Sequence, residues 1–312
     1  MRLLARRPTR IVAATLLSGT ALLASSATDQ RHAAPAHRAR FVSLGDLRLR
    51  LVRAGRGTPV VLLHGYGESL MSWRALFDEL SHHADVTAVD LPGFGLSSKP
   101  EHGYSADSMA LSVLRLLDQL GLARAVLVGH SLGGAVAAAV AVQAPERILG
   151  LVLVDPALVT PPVLAGSLDS AGEMQGVRAL VVAYYQSLRS RFAGIHDPDW
   201  LAESPAAATY EPARDPAYFR ALVAVLAQFD FEYLTRERAA RLTMPTLLVW
   251  GAQDPVVPVF HALGLLAMLP RARLEIVPRS WHRPHSERPR EVVGLIEGFL
   301  DEIGTANQPR AH

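Results

Sequence analysis

Apolar positions along most of this chain fall into short unbroken runs instead of alternating with polar ones. The clearest are residues 59–64 (PVVLLH), 86–90, 125–129, 151–155, 246–250 (TLLVW) and 273–277. Runs of this length, rich in β-branched residues and bounded by turn formers, predict strands buried on both faces of a parallel sheet. Ahead of them, residues 41–54 predict two short strands around Gly45-Asp46. Between the runs, apolar residues recur at helical spacing over 73–81, 106–120, 132–144, 259–269 and 290–303. Strand and helix in alternation predict the α/β class, a doubly wound, mostly parallel sheet with helices on both faces.

One stretch breaks the alternation. Residues 157–242 hold no buried-strand run, only helical stretches at 177–192 and 218–226 punctuated by proline and glycine. An insertion of that size predicts a helical cap over the C-terminal ends of the strands, where open α/β sheets bind ligands. Its aromatic residues Tyr184, Tyr185, Phe192, Trp200, Phe229 and Phe231 are candidates either for a pocket lining or for the cap's own core. The expected organisation is an N-terminal segment at 1–27, a linker at 28–40, a core from 41–156 and 243–304, the cap at 157–242 and a tail at 305–312.

The candidate chemistry sits at strand ends. Gly129-His130-Ser131-Leu132-Gly133 joins the run AVLV to the helix LGGAVAAAVAV. A serine between strand and helix requires a sharp turn, and flanking glycines remove the Cβ atoms that would collide there. The turn lifts the Ser131 hydroxyl to the N-terminus of a helix, whose dipole favours developing negative charge. A serine becomes a useful nucleophile only when a base takes its proton and a carboxylate orients that base. Asp254 follows the run TLLVW and His282 follows the run LEIVP, so both are expected in loops past strands. His285 competes with His282 for the base, and Asp155, at another strand end, is the reserve acid. His64-Gly65-Tyr66-Gly67 follows PVVLL, which makes the backbone amides of Tyr66 and Leu132 the candidate oxyanion-hole donors. The loop from Asp90 to Ser97 reads as scaffold, since the chain's only lysine, Lys99, is badly spaced for a phosphate cradle.

Composition narrows the picture. With half of its 312 residues apolar and 19% charged, the chain is neither disordered nor short of a core. The absence of cysteine excludes a disulfide framework, thiolate metal ligands and a cysteine nucleophile. Charge is unevenly placed. Residues 1–53 carry ten arginines against two aspartates, whereas 54–312 carry 21 basic and 27 acidic side chains. The basic character therefore belongs to the arm, and a nucleic-acid partner is not expected. Basic residues 1–10, an apolar stretch over 11–24 and small residues at 25–27 have the layout of a secretory signal peptide. Export to a periplasmic or secreted location is expected, with an uncleaved membrane anchor as the alternative and Arg6-Arg7 as a candidate twin-arginine signal.

The strings VVLLHGYGES, AVDLPGFGLSS, LVGHSLGGAVA, LVLVDPA, LLVWGAQDPVVP and WHRPHSERP occur in the order seen in the α/β-hydrolase superfamily. Across residues 41–303 the chain resembles its capped members, related to epoxide hydrolases, haloalkane dehalogenases and bacterial esterases. The resemblance implies Ser131 as nucleophile, His282 as base, Asp254 as acid, and Tyr66 with Leu132 as the oxyanion hole. Epoxide hydrolases and haloalkane dehalogenases carry aspartate at the nucleophile position, so Ser131 argues against both activities. The base is usually preceded by glycine, and here Trp281 stands there. The expectation is a serine hydrolase acting on a small, apolar carboxylic ester without metal or organic cofactor. Carbon–carbon, amide and perhydrolytic chemistry are the alternatives within the fold, and a non-catalytic ligand-binding module is the alternative outside enzymes.

Overall fold

A computed structural model of the chain describes residues 38–159 and 215–306. The arm at 1–37, most of the expected cap at 160–214 and the end of the tail lie outside the described residues. So do the stretch 177–192 and Tyr184, Tyr185, Phe192 and Trp200.

The apolar runs become the strands of one eight-stranded sheet, in the order β1-β2-β4-β3-β5-β6-β7-β8. β1 (Arg40–Leu44) and β2 (Leu47–Ala54) form a hairpin through Gly45, and β2 runs antiparallel to β4 (Asp85–Val89). From β4 onward, β3 (Pro59–Leu63), β5 (Ala125–His130), β6 (Ile148–Val154), β7 (Thr246–Gly251) and β8 (Ala272–Val277) are all parallel. The doubly wound, mostly parallel sheet is as expected.

Helices cover both faces because the central strands β3, β5, β6 and β7 are apolar on both. α2 (Ala106–Gln119) and α3 (Leu132–Gln143) contribute to one hydrophobic core, together with Leu63, Leu127, Leu153 and Leu248 of the sheet. α1 (Arg74–Ser81) closes the opposite core with the C-terminal helix, against Val60, Val126, Val152 and Leu247. Alternate residues of each strand thus serve opposite layers. α3 is buried from Leu132 to Val142, since it lies in the middle of its layer, and this explains its almost unbroken run of alanine, valine and glycine.

Several boundaries differ from those expected. Ala39 is buried and Arg40 opens β1, so the last residues of the supposed linker belong to the core. β6 begins at Ile148, three residues before the apolar run, because its early residues pair with the start of β5 across an irregularity at Ala125/Val126. The C-terminal helix spans Pro289–Ala306 and enters the supposed tail. Its stripe Val292, Ile296, Phe299 and Ile303 packs on the sheet, and Thr305 Oγ1 donates back to the Asp301 carbonyl (3.1 Å).

Of the expected cap segment, residues 157–159 and 215–242 are described. They hold α4 (Pro216–Gln228), capped by Asp215, and α5 (Arg236–Ala239). α4 contains the expected 218–226 stretch. Phe229 and Phe231, ring centroids 5.0 Å apart, pack into the core next to α4. The remaining helices are α6 (Phe260–Met268), α7 (Pro284–Glu287) and α8, the C-terminal helix given above. Among the described residues, no helix is long and apolar enough to cross a membrane.

Candidate active site

The parallel strands β5 and β7, with the loop after β8, deliver three polar side chains to one point. At the end of β5 the chain turns straight into α3, with Ser131 at φ +50° and ψ −115°. A side-chain-bearing residue at positive φ is costly, and here it is held by its neighbours. The Ser131 N–H donates to the Val154 carbonyl (2.9 Å), and its own carbonyl accepts from Ala135 and Ala157. Gly133 makes the turn feasible, because a Cβ there would lie 2.1 Å from the Leu63 carbonyl oxygen. Although Ser131 occupies the helix N-cap position, its hydroxyl makes no capping bond.

The hydroxyl instead meets His282. Nε2 of His282 lies 3.1 Å from Ser131 Oγ, and its Nδ1 lies 2.7 Å from Oδ2 of Asp254. The second oxygen of Asp254 accepts from the amides of Val256 (2.7 Å) and Val257 (3.0 Å), which fixes the carboxylate plane. All three residues are buried. Burial would raise the Asp254 carboxyl, but the bonds from His282 and the two amides outweigh it and leave it below its ordinary value. For His282 burial dominates over Asp254, so the imidazole loses its proton below the ordinary histidine range. An ionised carboxylate, a neutral imidazole and a hydroxyl therefore stand in hydrogen-bonded sequence.

The competing residues fall elsewhere. His285 lies in the short helix α7, fully buried, its ring centroid 4.6 Å from Trp73 and 4.3 Å from His130. Neither of its nitrogens has a hydrogen-bond partner, so it packs behind the site. Asp155, at φ +42°, accepts the Gly251 N–H on Oδ1 (2.9 Å). It lies beside Asp254, and burial together with the charge of that neighbour pushes its carboxyl well above the ordinary range. The acid directed at His282 is Asp254.

Tyr66 and Leu132 follow the paired ends of β3 and β5, where Leu63 stands opposite Gly129. Leu132 opens α3, where the first amides lack an intrahelical acceptor. The Tyr66 loop is held by His64, whose Nδ1 donates to the Gly65 carbonyl (2.8 Å) and whose Nε2 accepts from Leu91 N–H (3.0 Å). Both ring nitrogens of His64 are thus engaged with backbone groups. The loop after β4 is likewise scaffold, as Asp90 accepts the amides of Leu70 (2.7 Å) and Leu96 (2.8 Å). Lys99 reaches the Gly95 carbonyl (2.8 Å).

Sequence reasoning missed how α4 grips this loop. The Tyr66 hydroxyl donates to the Leu222 carbonyl (2.9 Å) and the Tyr218 hydroxyl to the Gly67 carbonyl (2.8 Å). It also missed the buried carboxylate of Glu68, which faces His130 and Arg283. A lone acid directly after the HGYG string was the only available signal.

Among the described residues, two groups place three metal-type donor atoms within 4.8 Å of one another, Glu68/His130/His285 and Asp155/Asp254/His282. In the second, Asp254 and His282 are hydrogen-bonded to each other, and in the first Glu68 is paired with the Arg283 guanidinium.

Comparison with known proteins agrees with this fold. The family model described as the alpha/beta hydrolase fold matches residues 58–289. An uncharacterised protein of Mycobacterium tuberculosis is 32% identical over 83% of this chain and 80% of its own length. The 2-hydroxy-6-oxo-2,4-heptadienoate hydrolase of Pseudomonas putida is 31% identical over 84% of this chain and 95% of its own. Among solved structures, a serine hydrolase involved in carbazole degradation matches with a TM-score of 0.65 and 28% identity, covering 84% of this chain and 98% of that one.

Proposed function

The chain belongs to the α/β-hydrolase fold family, and we propose that within it this protein is a serine hydrolase that cleaves a carboxylic ester through an acyl-enzyme. The observation that carries the reading is the unbroken line from Asp254 through His282 to a Ser131 hydroxyl that caps nothing. In this reading the neutral Nε2 of His282 takes the hydroxyl proton as Oγ attacks the ester carbonyl. Asp254 holds the Nδ1–H tautomer and stabilises the imidazolium that results. The Tyr66 and Leu132 amides receive the developing oxyanion, each such donor being worth about 2.7–4 kcal/mol in the transition state. The imidazolium then protonates the leaving alkoxide. Water, deprotonated by the same imidazole, releases the acid and restores Ser131.

The substrate we favour is small and apolar, taken up beneath the cap, with no nucleic-acid partner. For the arm we propose export, by cleavage near Ala27 or with the segment retained as an anchor. A second reading, hydrolysis of a carbon–carbon bond next to a ketone, is favoured by the likeness to the heptadienoate hydrolase. Turnover of a p-nitrophenyl ester series of graded acyl length, set beside a 2-hydroxy-6-oxodienoate, distinguishes the two. Faster turnover of the esters supports the first reading; selective loss of the dienoate chromophore supports the second. Absence of both, with no labelling of Ser131 by a fluorophosphonate, would favour a binding module instead.

A further inference from the structure

Behind the candidate nucleophile lies a second set of buried polar groups that the mechanism above does not use. Its centre is Glu68, whose side chain is 1% exposed. Oε2 accepts the Gly65 N–H (3.1 Å) and faces Nδ1 of His130 (3.2 Å), and Oε1 forms an ion pair with Nε of Arg283 (3.0 Å). From His130 the chain of contacts continues, as its Nε2 lies 2.7 Å from the His282 carbonyl oxygen. A carbonyl can only accept, so Nε2 carries hydrogen, while Nδ1 is turned to the Glu68 carboxylate. Burial acts against an ionised Glu68, yet the positive charges of Arg283 and His130 hold its carboxyl well below the ordinary range.

Each partner of this carboxylate adjoins a residue of the proposed mechanism. Gly65 precedes Tyr66, His130 precedes Ser131, and Arg283 follows His282. The three segments come from the ends of β3 and β5 and from the loop after β8, which share no continuous backbone. The fit is close: a Cβ on Gly65 would lie 2.6 Å from His130 Nδ1, so the oxyanion loop rests directly on the imidazole. We propose that Glu68 and His130 are positioning residues, which together hold the oxyanion loop, the nucleophile turn and the base loop in catalytic register. The inference rests on the serine-hydrolase reading. It adds that the register depends on one buried carboxylate and the imidazole that relays it to His282.

Charge-assisted hydrogen bonds suit this task, because they are shorter and stronger than neutral ones and grow stronger away from water. Glu68→Gln keeps shape and volume but replaces one acceptor oxygen with an amide, so Gly65 N–H or His130 loses its partner. His130→Asn places its amide near the Nδ1 position and loses the donation to the His282 carbonyl.

The test uses the full chain and the p-nitrophenyl ester that the wild type hydrolyses fastest, with active serines titrated by a fluorophosphonate. Wild-type protein that the reagent does not label would fail the serine-hydrolase reading itself, before any variant is compared. With labelling established, Glu68→Gln and His130→Asn should each lower kcat per titrated serine by about ten- to a hundredfold, with KM changed by no more than about twofold. The double variant should be no slower than the slower single variant by more than about twofold, as expected for residues that act as one unit. A merely structural role predicts a lower melting temperature and fewer titratable sites, with unchanged kcat at each remaining site; that result overturns the proposal. Fully multiplicative losses in the double variant also overturn it. If Glu68→Gln yields no soluble protein, Arg283→Gln tests the same carboxylate from its other side and is read by the same criteria.

Discussion

At the scale of single residues, the surroundings of the site keep Asp254 ionised and His282 neutral. Ser131→Ala should lower turnover by about three decades or more while leaving the fold intact, the usual size of a lost nucleophile. Steady-state kinetics, with circular dichroism to check folding, measures it. His282→Ala should abolish acylation in stopped flow, whereas His285→Ala, which removes a ring packed against Trp73 and His130, should mainly lower the melting temperature. The pH profile follows from His282. Its imidazole loses its proton below the ordinary histidine range, so the base stays neutral to lower pH. The acid limb of kcat/KM should therefore fall below about pH 6.5, with activity lost as pH drops through it. A limb above that value would contradict the assignment. Ser131, Asp254 and His282 were legible in the sequence because each stands just past an apolar run, where a parallel sheet presents side chains to one rim. The network around Glu68 was not. Its partners lie 62 and 215 positions further on, at His130 and Arg283, and nothing local signals that they meet.

At the scale of elements, strands were easier to read than their ends. β3 and β7 are continuous apolar runs and match closely, while β6 extends beyond its run because its start is fixed by pairing with β5. The C-terminal helix runs to Ala306, past its expected end at 303, and in that last turn Thr305 Oγ1 donates to the Asp301 carbonyl. α4 illustrates what periodicity cannot give. Its apolar spacing announces a helix, but only the fold shows that Tyr218 reaches Gly67 in the Tyr66 loop. Tyr218→Phe removes that bond and should cost about 0.5–1.5 kcal/mol of stability. Hydrogen exchange over 216–228 and 64–68 should rise together; unchanged protection of the loop would show that α4 does not steady it.

At the scale of the whole molecule, the uneven charge separates a basic arm from a mildly acidic core, and the arm is the basis of the export proposal. Cleavage near Ala27 would leave 27 basic and 29 acidic side chains, a nearly neutral product. Fractionation and N-terminal sequencing of the native protein should find it outside the cytosol or at the membrane. A cytosolic chain beginning at Met1 or Arg2 would refute both routes. The central claim, that the fold presents Ser131 as an activated nucleophile, is tested most directly by intact-protein mass spectrometry after reaction with a fluorophosphonate. The account predicts a single adduct per chain, mapped by peptide digestion to Ser131, and none on the Ser131→Ala variant. An unmodified wild-type protein, or an adduct on another residue that persists in the variant, would contradict it.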